Sequence, residues 1–155
     1  MNNNYISAFQ YIGSRITSLK IKNDFVDLFD SNEVKKSIDV SHEILSIEKV
    51  NEGKSLLGII NLNIKVNTKK DKQKYNISMS IEGCFTAPDE IGEELFKKML
   101  QINGITSLYS IARGFIQSTT SQTLMTGNVL LPMFNVAQYS RDLNEQNEEE
   151  QAEDE

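Results

Sequence analysis

The chain has 155 residues, of which 39% are hydrophobic and 25% charged, with a net charge of −6, one histidine and one cysteine. That is the size and polarity of one globular domain with a core of its own. No run approaches the ~20 apolar residues of a membrane span, Met1-Asn2-Asn3-Asn4-Tyr5 lacks the basic and apolar regions of a signal peptide, and the lone Cys84 permits no internal disulfide, so a cytoplasmic protein is expected.

In chain order, Tyr5 to Ile12 is an apolar lead-in without a clear period. The first strand is expected over about Arg15 to Lys22, where Leu19 and Ile21 alternate with Lys20 and Lys22. Phe25 to Asn32 mixes aromatics with turn formers and reads as a connection carrying apolar side chains. A second strand over Lys36 to Lys49 turns Ile38, Val40, His42 and Ile44 one way and Asp39, Ser41 and Glu43 the other. Asn51-Glu52-Gly53-Lys54 is a hairpin turn. The third strand, Leu56 to Asn67, puts Ile60, Leu62, Ile64 and Val66 on one face. After the charged loop Thr68 to Gln73, the fourth sets Tyr75, Ile77, Met79, Ile81, Gly83 and Phe85 against Asn76, Ser78, Ser80, Glu82 and Cys84. Long strands with short turns and one apolar face each predict an antiparallel sheet with one wet side.

Pro88-Asp89-Glu90 opens the helical half, with Asp89 as the expected N-cap, Glu93 and Glu94 early and Lys97 and Lys98 late in the first helix. Strands first and helices second is an α+β arrangement. From Met99 to Ser140 the only formal charge is Arg113. Past the breaker Asn103-Gly104, a helix is expected from Ile105 to about Leu124, with Ile105, Leu108, Ala112, Phe115, Ile116 and Thr119 on the packed face. Its other side carries Thr106, Ser107, Ser110, Gln117, Thr120 and Ser121, small and uncharged, which suits another helix better than water. An apolar arm follows, ending in a short amphipathic segment to Tyr139.

The acidity is concentrated at the end: Asp142 to Glu155 holds eight carboxylates and no base, while residues 1–141 hold 14 acids and 16 bases. Such a run buries too little apolar surface to order itself, so a domain over 1–141 and a disordered acidic tail over 142–155 are expected.

Nothing argues for an enzyme. His42 alternates with apolar residues on a strand, Cys84 has no sequence-local partner, and no HExxH, CxxC, GxxxxGK[ST] or GxGxxG is present, so no metal or cofactor is expected. Lys69, Lys70, Lys72 and Lys74 read as a solvated turn rather than a nucleic-acid contact.

Ile81-Glu82-Gly83-Cys84-Phe85-Thr86, then Asn103 to Arg113, then Leu130-Leu131-Pro132-Met133-Phe134 resemble the SecB export chaperones, in the right order and over roughly Ile6 to Tyr139. The resemblance implies a four-stranded antiparallel sheet with one long and one or two short helices packed on one face. It also implies a homotetramer, a dimer of dimers, with Thr106, Ser110, Arg113, Gln117, Thr120 and Ser121 of the long helix between dimers. The implied function is an ATP-independent holdase that keeps unfolded preproteins translocation-competent for the Sec pathway. Its client groove would take Phe25, Val26, Leu28 and Phe29 from the connection, and Leu130, Leu131, Met133, Phe134, Val136 and Tyr139 from the arm and last helix. SecB proteins present acidic side chains to SecA on the open sheet face; two such places hold Lys20 and Ser78 here, while Asp24 remains acidic and is the expected SecA contact. Two alternatives stay open: a SecB-like chaperone dedicated to an antitoxin or other single client, and an α+β protein that binds a small apolar ligand.

Overall fold

The computed structural model describes residues 7–24, 35–124 and 127–153, with side chains described as far as Glu145. Four strands, β1 (Gln10–Asn23), β2 (Lys35–Val50), β3 (Ser55–Lys70) and β4 (Gln73–Pro88), form one antiparallel sheet in the order β1-β4-β3-β2. Each strand is longer than its periodicity suggested. Gln10 and Tyr11 already pair with β4, and Thr68 to Lys70 continues β3 to a tight turn in which Asp71 takes a φ of 53°. The β2–β3 turn lies where expected, with Asn51, Glu52 and Gly53 all at positive φ.

The period of two separates the faces of the inner strands. Leu56, Ile60, Leu62, Ile64 and Val66 of β3 and Tyr75, Ile77, Met79, Ile81, Phe85 and Ala87 of β4 are all at most 2% exposed. Their odd–even counterparts, from Asn61 and Asn63 to Ser78 and Ser80, look toward water. In β2, a register shift between Ile44 and Ser46 takes Leu45 out of the ladder, after which Ile47 carries the apolar side. β1 carries two such shifts, after Tyr11 and after Ile16.

Beyond β4 the chain forms a 3₁₀ turn at Asp89–Ile91, then α1 (Glu93–Met99), a π-helical turn at Leu100–Gly104, α2 (Ile105–Thr123) and α3 (Val136–Glu153). Asp89 is not an N-cap. Gly92 precedes α1 without a side-chain cap bond, and the Asp89 carboxylate is ion-paired with Lys49 Nζ at 3.0 Å. Asn103-Gly104 does not break the helical path either. Gly104 is buried where the π-helical turn packs on the sheet, and a Cβ there would make ordinary contacts of 3.4 Å with the Phe85 ring and 3.6 Å with Ile60. α2 lies across β3 and β4 and buries Ile105, Leu108, Tyr109, Ala112, Ile116 and Thr120. α3 continues through the acidic run to Glu153, where an unstructured segment was expected from Asp142. The residues Val136 to Glu153 include no Pro or Gly, and Gln138 bonds Asp142 one turn on, so helix propensity carries the segment forward.

Candidate functional site

Between α2 and α3 the chain runs as an extended arm, and the polar groups of its neighbours fix that arm in place. Val129 N donates to Thr120 Oγ1 at 2.8 Å, Arg113 Nε to Leu131 O at 2.7 Å, and Tyr109 Oη to Pro132 O at 3.0 Å. From the sheet, Lys36 Nζ donates to Leu130 O at 2.8 Å. Backbone bonded to α2 and β2 in this way leaves alternate side chains on opposite sides. Val129 and Leu131 are buried in the core, while Leu130 is 44% and Met133 78% exposed. A held backbone with flexible apolar side chains pointing outward is a surface that can bind varied apolar partners.

The arm ends in an aromatic series that joins four elements. Phe134 lies 4.9 Å from Tyr109 of α2 and 5.1 Å from Tyr139 of α3, and Tyr139 meets the His42 ring of β2 at 5.6 Å. Tyr139 Oη is hydrogen-bonded to His42 Nδ1, and its burial pushes the phenol up to about 12, so it keeps its proton. Burial also lowers the His42 imidazole below its ordinary value of 6.5.

The unfolded imidazole therefore takes a proton near pH 6.5, whereas the folded one holds out to lower pH. Stability from this site is flat above that value and is lost as pH falls through it toward the folded value. Urea melts from pH 7 to 5.5 are expected to show falling stability, and H42Q to flatten the slope. Equal slopes in the two proteins would remove His42 from the account.

The expected client residues separate into three groups. Leu130 and Met133 are exposed; Phe134, Val136 and Tyr139 are half-buried around the aromatic series; Leu131 is a core residue at 0% exposure. Phe25, Val26, Leu28 and Phe29 lie outside the described residues. Of the expected helix–helix contacts, Ser110, Gln117 and Ser121 are exposed, Thr106 is half-buried, and Arg113 is half-buried with its Nε turned to the arm. Thr120 faces inward instead, fully buried and bonded to Ile116 O and the arm. The outer side also exposes Ile111, at 41%. The hydroxyls of Thr106, Ser110 and Ser121 donate to the carbonyl four residues back, so this side presents few unmet donors. Asp24 is exposed at the end of β1, its N–H bonded to Lys74 O.

Sequence reasoning missed three participants. The sequence assigns Tyr109 to neither face of the long helix and gives His42 only as a residue alternating with apolar neighbours on a strand. The third is β1, an edge strand among the described residues, whose Tyr11, Ile12, Ile16 and Leu19 are 37–56% exposed. The aromatic and aliphatic content of Tyr5 to Leu19 was the available signal. Among the described residues, no group of three or more His, Cys, Asp and Glu could hold a metal ion, and no helix is long and apolar enough to cross a membrane. Burial pushes the Cys84 thiol up, away from the thiolate that nucleophilic chemistry requires.

No family model matches the sequence, and no curated protein matches it. The structure is similar to the Mycobacterium tuberculosis Rv1957 SecB-like chaperone, solved in complex with a ChAD peptide from the Rv1956 HigA1 antitoxin. That match has a TM-score of 0.58 at 10% identity and covers 82% of this chain and 91% of that one. A protein of unknown function from Streptococcus agalactiae is similar at a TM-score of 0.48 and 11% identity, over 80% of this chain and 96% of that one. The likeness to the first is one of fold: a four-stranded antiparallel sheet with one long helix across it.

Proposed function

We propose that this chain is an ATP-independent holdase that binds non-native polypeptides through the arm and the uncovered apolar surface near it. The observation that carries the reading is the arm itself, hydrogen-bonded to α2 and β2 along its backbone while Leu130 and Met133 stand in solvent. Large apolar side chains held out into solvent from one fixed segment are the kind of surface that marks a binding site. Binding only unfolded chains draws the folding equilibrium of a client away from its native state, and this requires no nucleotide. The uncharged outer side of α2, with Ile111 exposed and its hydroxyls internally bonded, supports assembly through paired helices, and a tetramer is the form the SecB resemblance implies.

Preproteins bound for Sec export are one client class, with delivery to SecA at the open sheet face near Asp24. The composition of that face favours a second class, a dedicated client such as an antitoxin segment. Lys20 and Ser78 sit side by side there, with Lys65 beyond, where a basic partner would need carboxylates. The fold's likeness to a SecB-like chaperone solved with an antitoxin peptide is in keeping with that second class.

Refolding of a slow-folding preprotein, with solution mass measured in parallel, tests the reading. A stoichiometric block without ATP by an oligomer is expected. A monomer without effect on refolding overturns it and moves a small apolar ligand to first place.

A further inference from the structure

The wet face of the sheet carries a second feature, unconnected to the arm. Register places Lys74, Lys69 and Lys35 directly opposite one another across β4, β3 and β2. The next row on the same face is Lys22, Asn76, Asn67 and Ser37, and the one after it is Lys20, Ser78, Lys65 and Asp39. With Asp24, which extends the first row beside Lys74 through its N–H bond to Lys74 O, six lysines and two carboxylates occupy three successive rows, an area of roughly 13 by 14 Å from strand geometry. Like charges directly opposed across strands are destabilising, and the sequence places them there three abreast. Among the described residues the ion pairs are Arg15–Glu82 and Lys49–Asp89, and none of the six lysines takes part in one. The surface is also concave: one hollow of about 340 Å³ is lined by Lys35, Lys69 and Lys74, and one of about 220 Å³ by Lys20, Lys22 and Lys65. Against the two carboxylates Asp24 and Asp39, the six lysines leave the three rows with a net charge of about +4.

The same polypeptide carries the complementary charge, in the eight carboxylates from Asp142 to Glu155. Of these, Asp142 and Glu145 have described side chains, and neither is ion-paired with the six lysines. α3 starts on the helix-bearing side of the sheet, meets β2 at His42, and passes the π-helical turn at Leu100–Gly104. That turn packs over Gly58 and Ile60, toward the end of β3 away from Lys69. From Tyr139 the course of α3 is thus toward the end of the sheet away from Lys69.

We infer that the lysine rows of one copy dock the acidic C-terminal segment, Asp142 to Glu155, of a second copy. Two copies exchanging tails in this way make a closed, two-fold arrangement with the same contact made twice. An acidic peptide suits the surface better than nucleic acid does. The rows hold Lys, Asn and Ser, without the Arg and aromatic side chains on which bases stack, and the tail itself repels phosphate. The inference does not depend on client holding by the arm, which lies on the helix-bearing side, although a docked tail would occupy the open face where SecA delivery is placed.

Zero-length carbodiimide coupling of a 1:1 mixture of ¹⁴N- and ¹⁵N-labelled full-length protein tests it directly. Mass spectrometry is expected to find mixed-isotope conjugates of the tryptic peptide Asp142–Glu155 with Lys69 and Lys74. The variant K20Q/K22Q/K35Q/K65Q keeps both reactive amines and removes four exposed charges. Its yield is expected to fall about tenfold, as four weak surface ion pairs would together imply, and raised salt to do the same. After subunit exchange, conjugates exclusively of a single isotope, with no mixed pairs, mean that the tail folds back on its own chain, and overturn the inference. So do an undiminished yield in the variant, absence of conjugates, or displacement of the tail by single-stranded RNA at lower concentration than by free tail peptide.

Discussion

Replacing Leu130 and Met133 together with aspartate (L130D/M133D) is expected to abolish client holding while leaving the fold intact. Both side chains are exposed, at 44% and 78%, and the bonds that fix the arm come from backbone carbonyls that the substitution keeps. The thermal midpoint should therefore move by no more than about 2 °C, in line with surface substitutions generally. Covering a Leu or Met side chain is worth about 1.5–3 kcal/mol each, so two lost anchors should weaken a client by at least a hundredfold. Charge at the same spots also repels the desolvation that binding requires. Light scattering of an aggregating client, read with a circular dichroism melt of the variant, checks both halves. Full suppression by L130D/M133D would move the binding surface away from the arm. The buried neighbour Leu131 provides the contrast: L131D should fail at the level of folding, because it places a carboxylate in the core.

That contrast marks what the sequence could and could not specify. Leu130 and Leu131 are adjacent and chemically identical, so composition and family resemblance nominate both; only the arm's attachment to Thr120, Arg113 and Lys36 decides which one faces in. Strict alternation in β3 and β4 made the inner strands and their apolar face legible, since these strands are covered along their whole length by α2 and its neighbours. The same alternation in β1 says which way Leu19 and Ile21 turn but not that Leu19 stays 38% exposed. Edge position is a property of strand order, and strand order depends on partners distant in sequence. The three- and four-residue spacing found the inner face of α2, apart from Tyr109 and Thr120, which read as polar or ambiguous and are buried because the arm supplies their hydrogen-bond partners. Asn103-Gly104 looked like a stop because glycine disfavours helix interiors; packing against Phe85 outweighs that preference. Net charge predicted an unstructured acidic segment, but local propensity without Pro or Gly extends α3 to Glu153.

Phe85→Ala is expected to give the largest stability loss of any single truncation in the sheet. The ring is 1% exposed, stacks on Phe9 with centroids 5.0 Å apart and meets Tyr11 edge-on at 5.6 Å. It also closes against two glycines, since a Cβ on Gly83 would come within 2.8 Å of it and one on Gly104 within 3.4 Å. Gly83 is kept bare by Leu108 and by this ring together, and neither glycine can fill the space that the ring would leave. The cavity should collapse little, which places the loss toward the upper part of the usual 3–5 kcal/mol for Phe→Ala. For a chain of this length that corresponds to a fall in melting temperature of roughly 10 °C or more. Because Phe9 and Tyr11 hold the start of β1 through this ring, amide exchange should rise there before it rises in β3, whose own partners are untouched. Urea melts give the total, and exchange resolved by strand gives the order. A loss under about 1 kcal/mol would mean that the Phe9 ring moves into the vacated space. Below its own transition the variant keeps the arm unchanged, so holding per folded molecule should match the parent, which separates the part of the protein that maintains the sheet from the part that meets the client.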